Sequence, residues 1–105
     1  MVDSALMISM MPSARLSCNI HPEDNSNDAV IEPILASAIE YVGKAINLKL
    51  TETNISARAK RAVLVSVEIE FNPEIDHQGN LKRHMISLIN QERWEHGTKD
   101  PLNTV

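Results

Sequence analysis

Cys18-Asn19-Ile20-His21 is the one place in this sequence where a thiol and an imidazole stand at the C-x-x-H spacing of a metal half-site. Zinc needs a second close pair to complete a tetrahedral set, and the remaining imidazoles, His77, His84 and His96, are scattered. Neither C-x-x-C nor H-x-x-x-H occurs, so these histidines are expected at surface and loop positions and no metal is expected. Carboxylates are plentiful at Glu23, Asp24, Glu52, Glu68, Glu70, Glu74 and Asp76, but most fall in loops and at helix ends, where capping and solvation account for them. With three glycines in the chain there is no phosphate-cradling loop, and no nucleophile elbow is present. No nucleophile stands with a base, so the expectation is a protein that is not an enzyme and carries no cofactor.

The chemistry that remains is binding. Arg58, Lys60 and Arg61 form the one basic cluster, which reads either as a solvated helix face or as a contact with an acidic neighbouring subunit or with DNA. Arg93 and Trp94 put an aromatic beside a guanidinium just ahead of the C-terminal tail. That is the composition of a docking anchor, against the plainer reading of a core edge at a helix end. These five residues are the candidate partner-binding set. Tyr41 is expected to turn its ring into the core with its hydroxyl at the rim. Met7, Met10 and Met11 read as an adaptable contact surface or as a frayed start to the chain.

The elements that must position these side chains follow from the spacing of apolar residues. In DAVIEPILASAIEYVGKAI, from Asp28 to Ile46, Ile31, Ile34, Leu35, Ala38, Ile39, Val42, Ala45 and Ile46 recur at helical intervals and define one broad face. The stripe exceeds what one small core consumes and so wants a partner. Asn25, Ser26, Asn27 and Asp28 are all suited to cap its start, Asp28 also complements the helix dipole, and Asn47 is placed to end it. Pro33 predicts a kink or a loose first turn. Upstream, a short helix is expected to begin near Pro12, with residues 1–11 flexible and Asn19 to Asp28 a loop.

Ala57 to Phe71, ARAKRAVLVSVEIEF, fits two periods. Val63, Val65, Val67, Ile69 and Phe71 alternate as in a strand, and propensity favours β. Ser56 ahead of Ala57 to Ala62 is a capped helix start, and a strand here has no partner elsewhere in the chain to satisfy its ladder. Asn72 to Asn80 reads as a loop, and a last helix is expected from Leu81 to about Glu95, capped by Asn80, with Leu81, Met85, Leu88 and Ile89 on one side. The segment 97–105 has no periodicity and is expected to be flexible.

Composition narrows the field further. At 105 residues one domain is expected. Apolar residues are 43% and charged ones 23%, which suits a folded domain, while 3% aromatics leave the core to aliphatic side chains and methionine. A net charge of −4 and a pI near 5.5 oppose a large phosphate-binding footprint. The single Cys18 forms no internal disulfide and suits synthesis in a reducing cytosol. The first residues lack the positive charge and long apolar run of an export signal, and no apolar run reaches the roughly 20 residues of a membrane span, so no membrane partner is expected.

In order, these features are a polar Asp/Asn-rich loop, the long helix DAVIEPILASAIEYVGKAI, a connector, the central AKRAVLVSVEIEFNPE and a short helix with SLINQER. Over roughly positions 14 to 95 this resembles the small head–tail connector (adaptor, or head-completion) proteins of long-tailed bacteriophages and prophages. The likeness rests chiefly on Asp28 to Val42 and on Leu88 to Arg93. The chain departs from the pattern at Phe71-Asn72-Pro73-Glu74, where such proteins often carry an aromatic and basic stretch, and at Pro33 in a helix that is usually smooth.

The resemblance implies an all-α fold, a small bundle of about four helices with a long antiparallel pair, and so overrules the β propensity of Val63 to Phe71. It implies a non-enzymatic structural virion protein that forms a homo-oligomeric ring of about a dozen copies beneath the portal. Such a ring binds the portal protein and the tail or next connector protein. Packaged DNA passes through its channel without specific binding. The implied location is the neck of the virion, reached from the host cytoplasm during assembly. The alternative is a small helical DNA-binding or regulatory module, such as a terminase small subunit or a repressor-like dimer. That reading needs a basic recognition helix, for which only Arg58 to Arg61 supplies charge.

Overall fold

A computed structural model describes residues 2–76 and 78–95. The described residues contain four α-helices and no strand: α1 (Ser4–Ser17), α2 (Asp28–Ala45), α3 (Ala57–Phe71) and α4 (Asn80–Glu95), with a single 3-10 turn at Pro73–Asp76. The expected all-α bundle is the fold.

α3 is the central element, in contact with α1, α2 and α4. Its buried residues Ala59, Ala62, Val63 and Val67 recur at three- and four-residue steps, whereas Val65, Ile69 and Phe71 are only half-buried. Helical periodicity therefore prevails over the alternation, and the whole of Ala57–Phe71 is helix. Two local causes combine. Ser56 accepts the Ala59 N–H at 3.0 Å, capping the first turn. Ala59 and Ala62 extend the apolar face ahead of the valines and are small enough to let neighbouring helices approach. Around this face, Leu6, Ile31, Leu35, Val42, Ile46, Val63 and Val67 are fully buried, each side chain contributing about 1.5–3 kcal/mol by leaving water.

α1 corrects the expectation for the N-terminal segment. It begins at Ser4 and not near Pro12, because the Asp3 carboxylate accepts the Leu6 N–H at 3.1 Å and Leu6, Met10, Met11 and Ala14 form a buried face. Residues 4–11, expected to be flexible, are thus helix, and Met10 and Met11 belong to the core and to neither a contact surface nor a frayed end. Pro12 lies inside α1 and removes one donor to Ile8; both residues are exposed, so the freed carbonyl lies on the solvent side of the helix. Pro33 sits inside α2 on an exposed position in the same way, and the helix runs through it uninterrupted.

α1 and α2 end identically. Asn19 (φ 66°) and Asn47 (φ 58°) take the left-handed conformation. Ile20 N–H then reaches Arg15 O and Leu48 N–H reaches Gly43 O, each at 2.9 Å, while Asn19 and Asn47 donate to Leu16 O and Lys44 O. This is the Schellman arrangement, with Ile20 and Leu48 folded back on the core. Leu48 passes so close to Gly43 that a Cβ there would stand 2.8 Å from the Leu48 carbonyl oxygen. At the start of α2 the cap residue is Asn27, which makes no side-chain cap bond. The expected cap Asp28 is engaged by Arg15 instead.

Candidate interaction surfaces

Asp76 sets the start of α4: its two carboxylate oxygens accept from Leu81 and Lys82 N–H at 2.7 and 2.9 Å, the capping role expected of Asn80. Gly79, at φ +74°, makes the turn into the helix. From there Met85, Leu88, Ile89 and Glu92 follow at i, i+3, i+4 and i+7 and face the bundle, so Arg83, Ile86, Asn90 and Trp94 must face away. Leu81, expected in the core, is only half-buried at the rim.

The N-terminal turn of α3 flanks this outer face. Arg58 Nη1 donates to Glu92 Oε1 at 3.2 Å, and the Glu92 residue is 3% exposed. A buried carboxylate needs such a partner, which places Arg58 at the edge of a groove of about 650 Å³ with Arg83, Ile86 and Trp94. Trp94 is 57% exposed and its ring is part of the groove. Of the five candidate residues, the fold therefore brings Arg58 and Trp94 together. Lys60 and Arg61 are exposed but do not line the groove, and Arg93, also exposed, does not either.

A second apolar surface lies at the other end of α3, where Leu16, Phe71 and Ile75 surround a shallow cleft with Glu68 beside them. Leu16 is 63% and Ile75 44% exposed. The sequence reading missed it. Its signal was Ile75, the single aliphatic side chain besides Pro73 in the polar, turn-rich run Asn72 to Asn80. Tyr41, expected to point inward, sits at the flank of the α2 stripe and stays half-exposed.

Arg15 makes a three-bond fork that no motif announced. Its Nε and Nη2 donate to the two Asp28 oxygens at 2.9 and 2.7 Å, and its Nη1 donates to the Pro22 carbonyl at 2.6 Å. This fork closes the 19–27 loop against α1 and α2. The hydrogen bond to Arg15 holds the Asp28 carboxyl below the ordinary 3.8, and the reciprocal bond raises Arg15. Asp24 is lowered likewise, by the Ser26 hydroxyl and N–H.

Cys18 and His21 do not converge. Cys18 is buried, and burial, with the charge of Glu68, pushes its thiol up; His21 is exposed, its Nδ1 accepting the Glu23 N–H at 3.1 Å. His84 is exposed on α4, and His77 and His96 lie outside the described residues, as does the segment 97–105. Among the described residues no three His, Cys, Asp or Glu side chains are grouped to hold a metal, and no helix is long and apolar enough to cross a membrane.

Compared with known protein families, with curated proteins and with solved structures, the chain matches none.

Proposed function

We propose that this chain is a head–tail connector subunit of a long-tailed phage or prophage: a non-enzymatic virion protein of the neck that forms a ring and joins the portal to the tail or next connector. The observation that carries the reading is α3. Propensity favoured a strand from Val63 to Phe71, the likeness to connectors required a helix, and the segment is helical throughout. The order of elements also agrees with that likeness, since a capped long helix, α2, packs on a central α3 that is followed by a short α4. Exposed apolar side chains at both ends of α3 add support, because a subunit that joins neighbours needs surfaces left over from its own core.

The alternative, a DNA-binding or regulatory module, has less to stand on. Arg58 is turned to Glu92, leaving Lys60 and Arg61 as the remaining cations of the cluster on α3, at exposed positions in its second turn. Duplex DNA at low salt should give no steeply salt-dependent shift. The direct test is assembly: the purified protein, alone at increasing concentration and mixed with the portal of the same genome, examined by ultracentrifugation and negative-stain microscopy. Rings, free or seated on the portal, are expected. A chain that stays monomeric at high concentration and does not bind that portal overturns the proposal.

A further inference from the structure

α4 is seated differently from the other helices. Among the described residues, every large side chain that is fully buried belongs to α1, to α2 with its cap Ile46, or to α3, and none to α4. α4 packs chiefly on α3, touches α2 only slightly and, among the described residues, makes no contact with α1. Its inner face is short, with Met85, Leu88 and Ile89 followed by Glu92. One of these inward positions is thus a carboxylate, held across the helix pair by Arg58 at 3.2 Å. The seat on α3 is thin as well. Helical geometry puts Ala62 and Val65 on the same face as Arg58, so an alanine and a half-buried valine lie under α4, whereas Val63 and Val67 lie on another face.

We infer that α4 is a latch: it opens from α3 as a unit of its own while α1, α2 and α3 stay folded, and the Arg58–Glu92 pair, at the end remote from the connecting turn, holds it shut. The inference stands apart from the connector reading. A helix of 16 residues is marginal once it leaves its partner, so α4 undocks and unwinds together. What it uncovers is an apolar strip, Met85, Leu88 and Ile89 on one side and Ala62 and Val65 on the other, that the closed molecule hides. Glu92 makes the latch conditional. An apolar residue at that position would add to the seat, whereas a carboxylate 3% exposed costs free energy that Arg58 offsets. The Arg58 side chain is itself 35% exposed, so it is the accessible half of the pair, within reach of any acidic group that competes for it.

Amide hydrogen exchange of the full-length protein, read residue by residue by nuclear magnetic resonance, tests this. The slowest amides of α4 should exchange faster than the slowest of α1 and α3. Their rates should also rise less steeply with urea, because undocking one helix exposes less surface than unfolding the chain. Arg58→Ala should speed exchange in α4 roughly 10- to 100-fold, by leaving Glu92 buried without that cation. Ala14→Gly is the control. It weakens α1, which α4 does not touch, through lost helix propensity and one buried methyl group. The slowest amides of α1 should then exchange about five- to twentyfold faster, while those of α4 keep their wild-type rates. If the slowest α4 amides are as protected as those of α3, or if Ala14→Gly speeds both helices equally, the molecule opens as one unit and the inference is overturned. Unchanged α4 exchange in Arg58→Ala overturns it as well, because the pair then holds nothing shut.

Discussion

Gly43→Ala should destabilise the protein, although the same change inside a helix ordinarily does the reverse. Alanine in place of glycine favours a helix by about 1 kcal/mol through propensity and the lower entropy of the unfolded chain. Gly43 has no positive φ that would forbid a side chain, so that gain is available. Against it stands the contact of 2.8 Å between a Cβ and the Leu48 carbonyl oxygen. The oxygen belongs to backbone and cannot rotate away. Moving it means moving the residue whose N–H holds Gly43 O at 2.9 Å, in a turn fixed by Asn47 at φ 58°. Leu50, 3% exposed, is the next neighbour at 3.7 Å and resists the shift from within the core.

Overpacking of this kind costs about 1–3 kcal/mol, and weakening the Leu48 bond adds about 1. After the propensity gain the net loss is about 1–3 kcal/mol, or roughly 5–15 °C in Tm for a domain of this size. Thermal and urea unfolding followed by far-UV circular dichroism measure it directly. Gly79 supplies the contrast: it needs its φ of +74°, and its nearest atom to a Cβ is the flexible end of Arg83 at 3.5 Å. Gly79→Asn should therefore cost little, because asparagine tolerates the left-handed conformation, while Gly43→Asn should be at least as harmful as Gly43→Ala. A Gly43→Ala protein as stable as the wild type, or more so, refutes the argument from close approach.

Pro12→Ala should raise Tm, since it restores a donor to Ile8 O inside α1 at an exposed position; the gain is bounded by the roughly 3 kcal/mol that proline costs in a helix interior, and a lower melting temperature contradicts the assignment of Pro12 to the helix. Ser56→Ala should cost about 0.5–2 kcal/mol by removing the α3 cap, with Ser56→Asp largely neutral in the same urea titration. The Arg15–Asp28 fork should show in the acid limb of the stability curve. Because the folded Asp28 carboxyl titrates below the ordinary 3.8, its contribution is complete above that value and is lost as pH falls from there through the lowered folded value. Asp28→Asn should flatten that limb, and an unchanged pH dependence between neutral pH and pH 3 would remove the fork from the account of acid stability.

The sequence made α2 legible because every local signal agreed: caps at its start, an apolar face of constant width and an asparagine at its end. It misled on α1 because proline reads as a first-turn residue, and only the burial of Leu6 and Met10 on the face that α1 turns to α2 and α3 reveals why the helix tolerates Pro12 in its middle. α3 shows the deeper limit. Alternating valines record a preference of the pleated surface, and such preferences amount to about 1 kcal/mol in a host protein. A lone strand would leave its whole ladder of N–H and C=O groups without partners, at 1–3 kcal/mol or so for each buried group. Backbone satisfaction therefore outweighs side-chain preference, and helix follows for any arrangement of these valines that lacks a second strand.

Surfaces obey a different logic. Arg58 and Trp94 were readable as types but not as neighbours, because nothing local links the first turn of α3 to the last turn of α4; the link is the antiparallel return through Gly79 and the pairing of Arg58 with Glu92. Leu16 and Ile75, 59 residues apart in sequence, meet for the same reason, each lying where a helix or turn ends beside the C-terminal end of α3. An apolar residue in a helix stripe is explained by the core whether or not it faces it. Ile75 sits in a turn outside any helix stripe, so its exposure beside Leu16 is not accounted for by a core-facing period and marks an apolar surface.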